Sequence, residues 1–324
     1  MKPIAVVAIG GNSLARPGER CTFKEQQRRA RITCEGIADV LAAGYHVVAT
    51  HGNGPQVGQA LLRAELAQPE LPPVSLDACD AETQGLLGYL LQQSLSNVLA
   101  SRGAHHPVVC IVTQVIVDPA DQAFHNPTKP IGPFYRFEEA LERKQKLGWT
   151  MIEDSGRGWR RVVASPQPLE IVELPSIRAC LNGGAVVIAA GGGGIPVVRH
   201  HKRLEGVEAV IDKDRASALL AARLQASLLL FSTGVDRVAR HFGLPDQQFL
   251  DQLTWEQANQ YLQEGEFPPG SMGPKIEAAL QFLQVFGRLA IITSPENIAA
   301  ALRGEAGTQV LGPGRVLRER IAVA

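Results

Sequence analysis

Short apolar runs rich in β-branched residues recur along the chain, and they constrain its fold more than any other feature of the sequence. Such runs are typical of strands buried on both faces of a parallel sheet. They are Ile4–Ile9, His46–Thr50, Val108–Gln114, Ala185–Ala190, Leu228–Thr233 and Leu289–Thr293. Helical patterns separate them, at about 24–43, 56–67, 81–102, 173–183, 214–224, 255–264, 274–286 and 295–303. The alternation predicts an α/β protein with a mostly parallel sheet and helices on both sides.

One segment breaks this alternation. Residues 118–168 are rich in proline and contain two of the three tryptophans. They end in two strand-like stretches, 150–153 and 159–164, on either side of the turn sequence DSGRG. Because a structureless loop of this length is unusual, we expect a small excursion from the main sheet.

The composition excludes several classes of protein. The chain has 324 residues, of which 45% are hydrophobic, and 32 basic residues balance 32 acidic ones. This excludes disorder and coiled coil, and a net charge of zero gives no overall field for nucleic acid or an anionic membrane. No apolar run reaches the roughly 18 residues of a membrane span, and the N-terminus does not resemble a signal peptide. The five cysteines form no C-x-x-C pair, so we expect reduced thiols and a cytoplasmic protein.

Glycine-rich segments follow three of the predicted strands. They are GGNS at 10–13, HGNGP at 51–55 and GGGGIP at 191–196. In an open parallel sheet, ligands bind at the carboxyl ends of the strands. Glycines there let the backbone approach a ligand closely, and Pro55 suits the first turn of a helix whose N-terminus favours an anion. The pattern predicts an anion site at one edge of the sheet.

Two common nucleotide-binding signatures do not fit. The chain contains no Gly-Lys dipeptide, which excludes a P-loop. Gly52, Gly54 and Gly58 resemble a loosened dinucleotide fingerprint, but no acidic residue ends a following strand to bind a ribose. A nicotinamide-dependent dehydrogenase is therefore disfavoured.

Three lysines lie in sequence contexts that restrict the backbone. Lys129 lies in NPTKPIG at 126–132, Lys213 in VIDKD at 210–214 and Lys275 in GSMGPK at 270–275. Flanking proline, glycine or aspartate favours a positioned cation over a freely solvated ammonium.

Together with the glycine segments, these motifs resemble the carbamate kinases of the amino acid kinase superfamily, in order and over nearly the whole chain. The resemblance implies an open three-layer αβα sandwich with a protruding subdomain at about 118–168. It implies an N-terminal lobe at 1–206 for carbamate or carbamoyl phosphate and a C-terminal lobe at 207–324 for the nucleotide. It also implies a homodimer, Mg²⁺ carried with ATP or ADP, and reversible phosphoryl transfer between ATP and carbamate, with flux toward ATP in arginine catabolism.

The resemblance assigns roles to individual residues. Lys213 and Lys275 would contact the transferred and leaving phosphate oxygens, Lys129 would reach in from the subdomain, and Asp212 would orient the lysines. Backbone N–H and amide donors would hold carbamoyl phosphate at Gly10, Gly11, Asn12, Gly52 and Asn53. The nucleotide would contact Thr233, Gly234, Met272 and Gly273 as well as Lys213 and Lys275.

Several alternatives stay open at this point. Asp212 could simply cap the helix that begins near Asp214. The chain could be a non-catalytic sensor of carbamoyl phosphate or nucleotide, or a related kinase with another acceptor. The histidine pairs at 105–106 and 200–201 lack the spacing of a zinc site, so we expect solvated loop residues and no metal held by the protein alone. His51 is expected to brace its glycine loop.

Overall fold

The computed structural model describes residues 2–11, 14, 22–68, 70–154, 156–268 and 270–315. Asn12 and Cys21 lie outside these residues. The strands are β1 (Ile4–Ile9), β2 (His46–His51), β3 (Val108–Cys110), β4 (Gln114–Val117), β5 (Lys129–Tyr135), β6 (Met151–Glu153), β7 (Trp159–Val163), β8 (Pro168–Ile171), β9 (Val186–Ile188), β10 (Ile195–His200), β11 (Arg203–Gly206), β12 (Leu228–Ser232), β13 (Val238–Arg240), β14 (Gln248–Leu250), β15 (Gln252–Leu253), β16 (Leu289–Thr293) and β17 (Thr308–Leu311).

The α-helices separate these strands, as the sequence predicts. They are α1 (Phe23–Ala42), α2 (Gly54–Ala67), α3 (Leu76–Ser101), α4 (Phe137–Leu147), α5 (Leu174–Asn182), α6 (Lys213–Leu224), α7 (Trp255–Gln263), α8 (Met272–Val285) and α9 (Ile298–Leu302). Short 3₁₀ turns lie at Gln122–Phe124, Gly191–Gly193 and Pro295–Asn297.

The main sheet has the strand order β15-β17-β16-β12-β1-β2-β9-β3. The strands from β16 to β3 in this order are all parallel, and only the pairing of β16 with β17 is antiparallel. The mostly parallel sheet is thus confirmed. The lobe boundary near 206 stays a prediction, because β1 and β12, from its two sides, are neighbours in this sheet.

Alternate residues of β1 pack into two separate cores. Ala5, Val7 and Ile9 belong to a cluster with α1, α3 and α9 on one face of the sheet. Val6 and Ala8 belong to a cluster with α5, α6, α7 and α8 on the other face. Because successive side chains of a strand point to opposite faces, a strand apolar at every position needs a helix layer on each side. The three layers of the αβα sandwich follow from this pattern.

The predicted strand at 108–114 is wrong in one respect, because it divides between two sheets. Residues of β3 belong to the main sheet, whereas β4 joins a second sheet of order β11-β10-β4-β8. At the break, the side-chain amide of Gln84 donates to the carbonyl of Thr113, and its Oε1 accepts from the backbone N–H of Thr113. The backbone N–H of Ile195 in β10 also donates to the carbonyl of Thr113, so the chain has already left the main sheet at this residue. A local apolar pattern does not indicate this change of partner.

The excursion at 118–168 forms a small antiparallel sheet of order β5-β7-β6 with α4 beside it. The predicted hairpin is present as β6 and β7. Helix α4 was not predicted, although it begins with Glu138 and Glu139 in its first turn and ends at Gly148 in a left-handed conformation. Both features are typical helix-terminus signals.

Candidate active site

The carboxyl ends of β1, β2 and β12 open into one cleft of about 860 Å³. The small sheet of β5, β6 and β7 lies over it, because residues of β5 also line the cleft. Most of the predicted site residues line it, namely Gly10, Gly11, Gly52, Asn53, Lys129, Asp212, Lys213, Thr233, Gly234 and Lys275. Residues separated by more than 200 positions in the chain therefore meet at the sheet edge that the sequence indicates.

Two predicted contacts do not lie on the cleft surface, and a third lies outside the described residues. Met272 begins α8 and packs against the core below. Gly273 is buried, and a Cβ there would lie 3.1 Å from the carbonyl oxygen of Pro268. Their neighbours Ser271 and Pro274 line the cleft instead, and Asn12 is not described. The helix turn at 270–275 thus reaches the cleft with different residues from those expected.

Two lysines converge on one buried carboxylate. The Nζ of Lys213 is paired with Oδ1 of Asp214, and the Nζ of Lys275 lies 3.2 Å from Oδ2 of the same group. Both lysine side chains are only 11% exposed and the Asp214 side chain 5%. The lysines therefore point toward each other at the cleft and not into bulk water.

Asp212 connects this pair to the third lysine. Its Oδ1 accepts from the backbone N–H of Asp214, which caps α6, and its Oδ2 lies 2.5 Å from the Nζ of Lys129. One oxygen of Asp212 thus caps α6, and the other forms an ion pair with Lys129, which is compatible with the predicted role in orienting the lysines. Because Lys129 belongs to β5, the ion pair also links the small sheet to the N-terminus of α6.

Burial and charge act in opposite directions on these groups. Burial alone would raise the pKa of Asp212, but the ammonium groups of Lys129 and Lys213 outweigh it, so the pKa lies well below its usual range. Burial lowers the pKa of Lys213, and Lys275 adds to the lowering, while Asp214 opposes it. The carboxylates thus stabilise the charged form of the buried lysines, which burial alone would disfavour.

The glycine segments bring backbone close to the lysines. A Cβ at Gly52 would lie 3.0 Å from the backbone nitrogen of Gly11 and 3.3 Å from Cδ of Lys213. The N–H groups of Gly10 and Gly52 donate to the carbonyls of Ser232 and Ile9 within the sheet. Gly52 therefore shapes the floor of the cleft by close approach, whereas the N–H groups of Gly10 and Gly52 already have acceptors.

Asn53 is held from behind by α3. Its Nδ2 lies 2.8 Å from Oδ1 of Asp80 and 2.8 Å from Oγ1 of Thr83. The third glycine segment packs against this amide, since a Cβ at Gly192 would lie 2.4 Å from the same Nδ2. Gly192 has φ +70°, which an L side chain rarely adopts. Both the backbone conformation and the space require glycine there.

His51 is buried beside these loops. Burial lowers its pKa to about 4, and its Nδ1 lies 3.3 Å from the carbonyl oxygen of Gly52. A neutral ring in contact with Gly52 agrees with the expected bracing role. The two histidine pairs are exposed, as expected, although His200 is the last residue of β10 and does not lie in a loop.

Sequence reasoning missed four cleft or supporting residues. Asp214 is part of the VIDKD motif, and its position opposite Asp212, on the other side of Lys213 in the sequence, could have indicated its role. Arg157 and Arg160 line the cleft from the small sheet. Asp80 is 1% exposed and carries a pKa raised well above its usual value by burial. Asp80 had no local signal, because its partners lie elsewhere in the chain.

No metal cage accompanies the lysines. Within the described ranges, no group of three or more histidine, cysteine, aspartate or glutamate side chains is arranged to hold a metal ion. Both cleft carboxylates are already paired with lysines. A Mg²⁺ ion at this site would therefore depend on oxygens of a nucleotide and on water, as Mg²⁺ often does.

Comparison with known proteins identifies the family of the chain. Residues 3–294 match the amino acid kinase family. The chain is 49% identical to the carbamate kinase-like protein YahI of Escherichia coli over 96% of its length and 99% of that protein. It is 46% identical to a carbamate kinase of Thermococcus kodakarensis, covering 94% and 98% of the two chains. A carbamate kinase structure from Giardia lamblia bound to citric acid superposes with a TM-score of 0.90 at 39% identity, over 96% and 99% of the chains. The chain therefore belongs to the amino acid kinase family.

Proposed function

We propose that this protein is a carbamate kinase, which transfers a phosphoryl group reversibly between ATP and carbamate. The observation that carries the proposal is the meeting of Lys129, Lys213 and Lys275 around Asp212 and Asp214 at a glycine-lined sheet edge. Relatives that carry this name share nearly half of their residues with the chain over almost its full length.

The chemistry of the reaction explains why lysines are needed. In the direction of ATP synthesis, a terminal oxygen of ADP attacks the phosphorus of carbamoyl phosphate, and the bond from phosphorus to the carbamate oxygen breaks. Carbamate leaves as an anion, so no proton needs to move. The obstacle is repulsion between anions, about 4 kcal/mol for two unit charges 4 Å apart at an effective dielectric of about 20. Fixed positive charge around the transferred group removes this obstacle.

The positions of the lysines suggest a division of roles. Lys213 and Lys275, held by one carboxylate, would contact oxygens of the transferred and leaving phosphates. Lys129 approaches from the small sheet and would neutralise the acceptor side. Asp212 and Asp214 keep the ammonium groups in place before the substrate arrives, so little reorganisation is needed in the transition state.

Other parts of the proposal rest on the resemblance. Mg²⁺ would enter as part of the nucleotide substrate. The chain would form a homodimer, which sedimentation analysis would measure, and would act in the cytoplasm in arginine catabolism. The four described cysteines are free thiols, which supports a reducing compartment. No helix in the described part of the chain is long and apolar enough to span a membrane.

The test is an assay that supplies ADP, Mg²⁺ and carbamoyl phosphate and measures ATP. We expect Lys213→Ala to lower turnover by roughly 10²–10³, as for the loss of one transition-state donor. The matched control is Lys202→Ala, an exposed lysine in the turn between β10 and β11. Its turnover should equal that of the wild type. Near-normal turnover of a folded Lys213→Ala protein would contradict the assignment.

The ATP assay, together with three further measurements, separates the alternatives. Calorimetric binding of carbamoyl phosphate and ADP without ATP formation would indicate a sensor. ATP consumption with acetylglutamate or UMP, but not with carbamate, would indicate another acceptor. Nicotinamide binding, visible as a fluorescence change of NADH, would be required by a dehydrogenase.

A further inference from the structure

The side chain of Asn53 has a fixed orientation that decides what it offers to a ligand. It lines the cleft between the lysines and the glycine segments, yet it is only 2% exposed. The oxygen and nitrogen of such an amide are distinguished by their hydrogen-bond partners. Here the surrounding bonds leave only one assignment.

The hydroxyl of Thr83 fixes this assignment. Thr83 Oγ1 lies 2.8 Å from the backbone carbonyl oxygen of Asp80, which can only accept, so the single hydroxyl proton is directed there. The amide atom of Asn53 that lies 2.8 Å from the same Oγ1 must then be a donor, which is Nδ2. This conclusion holds whether or not the carboxyl group of Asp80 is ionised.

The second hydrogen of the amide is also committed. It is donated to Oδ1 of Asp80, 2.8 Å away. Both N–H bonds of Asn53 therefore point into the protein, toward α3. The carbonyl oxygen Oδ1 is the polar side-chain atom left for the cleft, and it has no donor among the described residues of the chain. Asn53 thus offers an acceptor to a ligand, although the resemblance suggested an amide donor.

Asn53 supplies a deeply buried, uncharged acceptor to this cleft, whereas the other uncharged side-chain acceptors along it, on Gln59, Thr233 and Ser271, belong to half-buried or exposed residues. Asp212 and Asp214 are paired with lysines, and the arginines that line it carry only donors. The phosphate and carboxyl oxygens of carbamoyl phosphate are acceptors, which the lysines can satisfy. Its amino group is a donor and needs an acceptor.

We propose that Asn53 Oδ1 accepts a hydrogen bond from the amino group of the substrate, and that Thr83 and Asp80 are positioning residues that fix this acceptor. The inference rests on the proposed function, because it assumes a carbamoyl group in the cleft. It assigns to Asn53 the discrimination between an amino group and a methyl group of the same size. An acyl phosphate that carries methyl, such as acetyl phosphate, would leave this buried oxygen unpaired.

The test uses two stable ligands that differ only in this group. Phosphonoacetamide carries the amino group, and acetonylphosphonate carries methyl in its place. Isothermal titration of the full chain with each ligand gives a ratio of dissociation constants. We expect the wild type to prefer the amide by about ten- to hundredfold, the effect of pairing one buried acceptor. Asn53→Leu, which removes the acceptor, should bring the ratio close to one.

Variants at Thr83 test the positioning role without touching the ligand. Thr83→Val should lower the ratio by about three- to tenfold, because the amide loses one of its two acceptors. Thr83→Ser keeps the hydroxyl and should restore the ratio. Thr33→Val is the matched control, since Thr33 is a fully buried threonine on α1 whose hydroxyl has no hydrogen-bond partner among the residues that the structure describes. Its ratio should equal that of the wild type.

The outcomes separate this inference from the proposed function. Equal affinity of the wild type for both ligands, or an equal loss of both affinities in Thr83→Val, would overturn the inference and leave kinase activity possible. An unchanged ratio in folded Asn53→Leu would also overturn it. Discrimination without ATP formation from ADP and carbamoyl phosphate would refute the proposed kinase activity but support the acceptor role. The ratio of kcat/KM for carbamoyl phosphate and acetyl phosphate should follow the same order in all variants.

Discussion

Replacing Gly58 by alanine should move Lys129, although Gly58 itself does not line the cleft. Gly58 lies in α2, where its backbone meets that of Gly132 in β5. An added Cβ would lie 2.0 Å from Cα and 2.4 Å from the nitrogen of Gly132. Both obstacles are backbone atoms, so no side chain can rotate to make room. The strand and the helix must separate.

The required movement can be estimated from these distances. To reach 3.4 Å, the lower limit of ordinary contact, the separation from Cα must increase by about 1.4 Å. Lys129 begins the same strand three residues earlier and pairs with Asp212 across the cleft. A misplacement of about 1 Å can cost about 100-fold in rate. We therefore expect turnover to fall by about 100-fold, and overpacking to destabilise the fold by about 1–3 kcal/mol.

Steady-state ATP formation and urea unfolding would measure the two effects. Gly85→Ala is the matched control, because Gly85 lies in α3 and a Cβ there meets nothing within 4 Å. It should keep full turnover and gain about 0.5–1 kcal/mol from helix propensity. If Gly58→Ala folds and keeps wild-type turnover, the contact between α2 and β5 does not set the position of Lys129.

Three further predictions concern the buried polar groups. Because burial lowers the pKa of His51 to about 4, the unfolded chain binds a proton between about pH 6.5 and 4 that the folded chain does not. As the pH is lowered through this range, the free energy of unfolding should fall by up to about 3 kcal/mol more in the wild type than in His51→Gln, as measured by urea titration. The same pH dependence in both proteins would contradict this. Asp214→Asn leaves the buried ammonium groups of Lys213 and Lys275 without their carboxylate, so the variant should unfold at a lower temperature. Mg·ADP should stabilise it more than the wild type, because phosphate oxygens would replace the lost negative charge. An equal nucleotide effect would argue that the lysines do not face the phosphates. Gly192→Ala should lower the free energy of unfolding by at least about 1–3 kcal/mol, since φ is +70° and the Cβ meets Asn53; an unchanged urea midpoint would refute this.

The sequence was sufficient where local pattern and tertiary environment agree. Strands such as Ile4–Ile9 and Leu289–Thr293 have the predicted bounds, because each is apolar on both faces and ends at a loop. The glycine segments were placed at the sheet edge because parallel strands bring their carboxyl ends together. Both predictions use information contained in a few consecutive residues.

The sequence was insufficient where distant residues decide the outcome. Gln84 hydrogen-bonds both backbone groups of Thr113, where the chain passes from the main sheet to the second one. Asp214 bridges two lysines, of which Lys213 is adjacent to it in the chain and Lys275 lies 61 positions away. The orientation of Asn53 depends on Thr83, 30 residues away on another helix. In each case a hydrogen bond across the fold determines the role, and no periodicity or motif records it.

The pairing of β2, β1 and β12 has a consequence for how such an enzyme could change its substrate. The loops that we propose for the acyl phosphate follow β1 and β2. The loop at Thr233 and Gly234 follows β12, which pairs with β1 along its whole length. Neighbouring strands are about 4.8 Å apart whatever their side chains. The distance between the phosphoryl donor and its acceptor is thus set by the spacing of the strands. Mutations in the loops can change which substrate binds, whereas the distance that the phosphoryl group travels stays the same.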